Sequence, residues 1–277
     1  MRHEQRLSEL LPRLLVVEFG GAAGTLATIA DHGFEVAFQV QAGLAEGLGL
    51  SQPEIAWHTE RDRIAEIGAF FALLTGTCAK FALDVKLLMQ TEVGEVYEPY
   101  APYRGSSSTM PQKGNPISSV YITAMASTVK QLSAALFEAL VGDHERSTGL
   151  WEIEWIVLPQ ISTLTHATLV HTFSLLKGLE VHPSAMKKNM GLTEGGIVSE
   201  AVMMGLGKRI GRQVAHDLVH DICRNMADAS SVSFVDLLLA NAEVKRSGIS
   251  KEELDRLCEP ANYIGLSKEM VAAVLDM

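Results

Sequence analysis

Residues 63–90 read RIAEIGAFFALLTGTCAKFALDVKLLMQ, and the apolar positions recur every three or four residues. Ile64, Ile67, Phe70, Phe71, Leu74, Phe81, Val85 and Leu88 fall on one side of a 3.6-residue helix. The spacing predicts one helix over Arg63–Gln90, far longer than the ~10–14 residues of an ordinary one. Thr59 is a candidate cap ahead of it. A helix of this length needs equally long partners to bury its apolar side, so the stretch argues for a long-helix bundle.

Outward from it the same period returns. Helices are predicted over His3–Val17, Phe34–Gly47, Ile117–Val141 and Glu154–Leu179. Pro159 marks the expected start of the last, because proline is tolerated in a first turn. Aromatic residues are only 6% and no alternating run stands out, so strand signals are scarce. After Gly178 the segments shorten, to Pro183–Met190, Val198–Leu206, Arg212–Met226, Ser233–Leu239, Lys251–Leu257 and Lys268–Leu275. The reading is all-α: a long-helix bundle over residues 1–179 and a small C-terminal helical domain over 180–277.

Composition excludes several classes. The 277 residues are 47% hydrophobic, enough for a sizeable core, and the formal net charge is −10. An acidic balance argues against nucleic acid and anionic membranes as partners. Cys78, Cys223 and Cys258 are widely spaced and odd in number, which suits small core residues in a reducing, cytoplasmic compartment. The charged start, Met1–Pro12, is unlike a signal peptide. No apolar run is read as reaching the length of a membrane span; the longest candidate, Phe19–Ala30, is small-residue-rich and short.

Chemistry concentrates in residues 103–116, YRGSSSTMPQKGNP, inside a Glu98–Pro116 loop that holds four of the nine prolines. A serine hydroxyl becomes useful where the local field favours its alkoxide or a neighbour accepts its proton. Lys113 supplies positive charge, Asn115 donates to a carboxylate, and amides around Gly105–Ser108 can serve as oxyanion donors. Composition alone leaves a solvated, serine-rich linker as an equal reading.

Ser107–Pro116 resembles the SSxMPxKxNP signature loop of the fumarase/aspartase superfamily, whose ten-residue specificity counts against that linker. The resemblance implies proton and nucleophile exchange at adjacent carbons, one bearing a carboxylate, through an aci-carboxylate intermediate. It implies Ser107 as the proton-transfer residue, with Ser108 its rival in register. Lys113, Asn115 and Met110 would hold the substrate. Other segments resemble the 3-carboxy-cis,cis-muconate cycloisomerase branch: the Gly-rich turn Glu18–Thr25, Trp57–Arg63, Met89–Val96, the Glu145–Trp155 stretch and Glu259–Gly265. They add Thr25, His58, Arg61 and Thr91 to the substrate-binding candidates.

Adenylosuccinate lyase and fumarase carry a glutamate seven residues after the loop lysine, where it orients a histidine; here that position is Val120. An apolar residue cannot polarise an imidazole. A ring closure whose nucleophile is the substrate's own carboxylate has no need of it. The branch implies closure of a tricarboxylate diene to a lactone, a di- or tricarboxylate substrate, no cofactor or metal, and a homotetramer with shared active sites. Its chains run longer, so this sequence corresponds to the C-terminal two-thirds of one. A fumarate-releasing lyase and a non-catalytic helical assembly are the alternatives.

Bland readings stand beside several candidates. Arg61, with Asp62 and Arg63, is either a pocket cation or a charged helix start. Thr25 and its glycines offer amides to a carboxylate or serve close packing. Trp151 and Trp155 line a pocket or a core stripe. His216 and His220 have metal-ligand spacing, but no third ligand is evident and a helix surface is the simpler reading.

Overall fold

The computed structural model describes residues 1–99, 109–110, 114–226 and 233–276, and divides into two compact units, Met1–Val181 and His182–Met277. The first is built on three long helices: α4 (Asp62–Leu88), α5 (Ile117–Glu138) and α6 (Glu152–Lys177). Before them come α1 (Arg2–Leu14), the short α2 (Ala27–Ala30) and α3 (Phe34–Leu48). α5 packs against both α4 and α6.

The packing sets the directions. A Cβ on Gly68, early in α4, would lie 2.5 Å from Leu136 Cδ1, late in α5. These helices are therefore antiparallel, and the absent side chain allows their close approach. Val129 and Leu136 of α5 meet Val157 and Ile161 of α6 in a buried cluster, so α5 and α6 are antiparallel too. Three buried threonines return their hydroxyls to their own helix backbones: Thr75 donates to Phe71 O at 2.8 Å, Thr168 to Leu164 O at 2.8 Å and Thr172 to Thr168 O at 2.7 Å, whereas the buried Thr165 hydroxyl has no partner among the described residues. The three thereby sit in an apolar seam with their donors satisfied.

Three local expectations are corrected. α1 ends at Leu14, three residues early, because Val16 leaves it to form a parallel bridge with Ser51. Thr59 does not cap α4; Arg61 occupies the cap position, without a side-chain cap bond. α6 begins at Glu152, so Pro159 lies inside it. The turn before α6 explains that start: Asp143 accepts from the Thr148 N–H at 2.7 Å, and Glu152 accepts from the Gly149 N–H at 2.9 Å. The Thr148 amide and hydroxyl hold the Asp143 carboxyl below its usual range. This anchored turn launches the helix upstream of the proline, which forfeits one interior hydrogen bond.

Against the expectation from continuous apolar runs, α4 is long and apolar enough, by length and composition alone, to cross a membrane. It packs against α5 and α6, while Leu73, Leu83 and Leu87 along it are exposed. Two short strands, β1 (Val96–Tyr97) and β2 (Glu180–Val181), pair antiparallel and tie the segment after α4 to the end of α6.

The second unit contains α7 (Pro183–Met190), α8 (Ser199–Ile210), α9 (Arg212–Met226), α10 (Phe234–Ala240), α11 (Ala242–Arg246), α12 (Lys251–Leu257) and α13 (Ser267–Leu275). Val202, Leu206, Leu218, Phe234, Leu238 and Leu254 belong to its buried core. Cys258, half-buried, has its thiol pushed up to about 11, chiefly by burial. Short helices depend on their caps: the Ser233 hydroxyl accepts from the Asp236 N–H at 3.2 Å, and the Ser250 hydroxyl from the Glu253 N–H at 3.2 Å. Ser233→Ala is expected to cost about 1 kcal/mol. Urea titration would register this as a lower midpoint with an unchanged slope.

Candidate active site

Those predicted site residues that the structure describes fall at the two ends of α4. His58 and Arg61 stand at its start. The Arg61 guanidinium is buried and makes a two-pronged pair with Glu154 of α6, Nε to Oε1 at 2.7 Å and Nη2 to Oε2 at 2.6 Å. Both charges are thus desolvated and satisfied by one another. Arg61 also lies over the Trp57 ring, 5.1 Å from its centroid, and donates from Nη1 to the His58 carbonyl at 3.3 Å. The His58 ring meets Trp151 edge-on at 4.6 Å, and Trp151 meets Trp155 edge-on at 5.3 Å.

His58 Nε2 is buried without a hydrogen-bond partner. The Ser147 hydroxyl is likewise buried and unpaired, on a residue with φ +47°. A buried polar atom without a partner costs free energy, and left-handed backbone at a non-glycine residue costs more. Thr59 approaches the same turn, since both its side chain and that of Ser147 lie within 4 Å of a Cβ built on Gly142. Two unspent polar atoms and a strained turn therefore gather at the α4 start.

Thr25 belongs to the same end. It lines a cavity of about 190 Å³ with Gly24, Gln41 and Ala56, two residues before His58. The segments are laced together: the Trp57 N–H donates to Glu18 Oε2 at 2.8 Å and Trp57 Nε1 to the Val17 carbonyl at 2.9 Å.

Thr91 is exposed in the turn after α4, at the other end. Asn115 is half-buried just before α5, and Met110 is 44% exposed. Ser107, Ser108 and Lys113 lie outside the described residues. The base of the serine loop is held by a residue the sequence reading overlooked. The Glu98 carboxylate accepts from the Ser118 N–H at 2.9 Å and the Ser119 N–H at 2.7 Å. It satisfies two of the open amides at the α5 N-terminus, where negative charge is favoured. This pins the chain before the loop to the helix after it. The neighbouring Pro99 is also fixed, since a Cβ on Gly178 would fall 2.6 Å from Pro99 Cβ. No local motif announces a cap twenty residues away. Val120 is 44% exposed on α5 and offers no polar group.

α4 has 27 residues. At 1.5 Å each it separates His58 and Arg61 from Thr91 and the loop base by about 40 Å. Within one chain the two groups do not converge.

A long antiparallel helix trio, a serine loop pinned at its base and a separate helical unit define a class. The family described as Lyase matches residues 1–130, and the one described as Adenylosuccinate lyase C-terminus matches residues 195–274. In sequence and fold the chain is similar to lyases of the fumarase/aspartase superfamily. Within it the chain is similar to 3-carboxy-cis,cis-muconate cycloisomerases. The one from Pseudomonas aeruginosa is 46% identical over 274 residues, covering 99% of this chain and 58% of that protein. The crystal structure of the 3-carboxy-cis,cis-muconate lactonizing enzyme from Pseudomonas putida superposes with a TM-score of 0.88 at 41% identity, covering 99% of this chain and 59% of that one. Trans-aconitate decarboxylase 1 of Mycosarcoma maydis is 52% identical over 275 residues, covering 99% of this chain and 55% of that protein. The chain thus spans under three-fifths of the length of these three proteins.

Proposed function

We propose that this chain forms part of an enzyme that closes 3-carboxy-cis,cis-muconate to a lactone. The observation that carries the reading is the Ser107–Pro116 loop together with the similarity to cycloisomerases over 99% of the chain. Ser107 delivers the proton to carbon, with Ser108 the neighbour that would replace it. Lys113 and Asn115 neutralise the carboxylate beside that carbon, where charge grows in the aci-carboxylate. Met110 packs on the substrate's carbon skeleton. A ring closure brings its own ionised nucleophile, consistent with Val120 where other lyases carry an activating glutamate.

At the other end of α4, the Thr25 turn receives a second carboxylate, and His58, two residues from Ala56 of the same cavity, positions that end. Arg61 and Thr91 were carboxylate candidates too. With its fork spent on Glu154, Arg61 acts by fixing His58 from behind. Thr91, exposed in the turn after α4, belongs to the group at that end of the helix.

The 40 Å between the groups argues for a site made from more than one copy, as in a homotetramer. Tyr121, Phe137, Trp155, Ile156, Val170 and Phe173 are exposed along α5 and α6, the kind of apolar surface that association covers.

The decarboxylase similarity favours a second reading. Loss of carbon dioxide from trans-aconitate also leaves negative charge on a carbon beside a carboxylate, and needs a proton delivered there. Each substrate is to be offered to the assembled protein. Loss of diene ultraviolet absorbance from 3-carboxy-cis,cis-muconate supports the first reading. Carbon dioxide release from trans-aconitate, with the diene untouched, replaces it with the second.

A further inference from the structure

α9 turns one face to the core through Ala215, Leu218, Val219 and Ile222. Its outer face carries His216 and His220, one turn apart. Their side chains are 58% and 64% exposed, and their rings are nearly parallel, at 13°, with centroids 6.3 Å apart. We propose that His216 and His220 form a two-point chelating site for a borderline divalent transition metal ion, such as Cu²⁺, Zn²⁺ or Ni²⁺. The site is independent of the reaction assigned above.

Three observations carry it. Imidazoles four residues apart on a helix share one face, and side-chain rotation out of the parallel arrangement brings both Nε2 atoms to one ion. Each is followed by an aspartate. His216 Nδ1 lies 3.0 Å from Asp217 Oδ1, and His220 Nδ1 lies 3.5 Å from Asp221 Oδ1. The His216 contact is a hydrogen bond, and an ionised carboxylate only accepts, so His216 Nδ1 carries the proton and its Nε2 presents the lone pair; the longer His220 contact is an ion-pair distance alone. This is the arrangement by which carboxylates fix the tautomer of metal-binding histidines. Asp217 is itself held, accepting from Gln213 Nε2 at 2.9 Å. Finally, both histidines line a pocket of about 380 Å³ whose wall includes Glu200, Met203 and Cys223, so further donors flank the chelate.

No three donors converge among the described residues, so two imidazoles form the anchor and water completes the shell. Imidazole pairs suit Cu²⁺, Ni²⁺ and Zn²⁺, whereas Mg²⁺ and Ca²⁺ require oxygen ligands. A bound ion staples two turns of α9 and stabilises the unit by mass action.

The test is calorimetric titration of the full chain with CuCl₂, ZnCl₂ and MgCl₂, paired with thermal melts. One equivalent of Cu²⁺ should bind more tightly than Zn²⁺, with no Mg²⁺ uptake, and Zn²⁺ should raise the Tm. His216→Ala and His220→Ala, at exposed positions, should fold normally by circular dichroism and each weaken binding at least tenfold. Asp217→Asn should weaken it about 10–100-fold. Binding within twofold of the unmodified chain in both histidine variants would overturn the site, as would no uptake by the unmodified protein.

Discussion

Glu154→Ala is expected to destabilise the long-helix unit by about 3–5 kcal/mol. The buried Arg61 guanidinium donates to the Glu154 carboxylate and to one backbone carbonyl, and lies over the Trp57 ring. Removing the carboxylate leaves a charge in the core between Trp57 and α6, with no water to replace its partner. The loss therefore exceeds that of a surface ion pair, worth roughly 0–1 kcal/mol. The exposed Lys80–Asp84 pair supplies the control: Asp84→Ala should change the urea midpoint little. The double variant Arg61→Met with Glu154→Leu should recover most of the loss, because two apolar side chains avoid both desolvation penalties. A Glu154→Ala protein with an unchanged midpoint would mean that the charge reaches solvent.

Ser107→Ala should lower turnover by at least 100-fold while leaving the unfolding midpoint and substrate affinity nearly unchanged. A positioned proton donor contributes about 10²–10⁴ in rate. Single-turnover kinetics separates this from a binding defect. If the Ser107→Ala rate is unchanged and Ser108→Ala abolishes turnover, the register of the loop shifts by one residue and the chemistry stands. If both variants turn over normally, the serine loop is not the proton source.

The long helices were legible because their signal is periodic: each of α4, α5 and α6 repeats apolar residues over many turns. Boundaries set by partners far along the chain were not. The end of α1 depends on Ser51, and the start of α6 on the Asp143–Thr148 turn, which overrides the local preference of Pro159. The site divides in the same way. Its loop was visible as a run of residue types, and His58 and Arg61 were visible as a segment. The pairing of Arg61 with Glu154 was invisible in any local pattern, because 93 residues separate them. The Glu98 cap was hidden for the same reason. The 40 Å division of the site is a product of helix length, which the sequence held but which only the packing directions convert into geometry.

The most direct test of the account follows the ultraviolet absorbance of 3-carboxy-cis,cis-muconate in four samples: the unmodified protein, Ser107→Ala, His58→Ala, and the two variants refolded together. The account predicts turnover in the first, none in either variant alone, and partial recovery in the mixture, where a copy with an intact loop meets one with an intact His58. No absorbance loss with the assembled unmodified protein, or a Ser107→Ala sample as fast as the unmodified one, would contradict it.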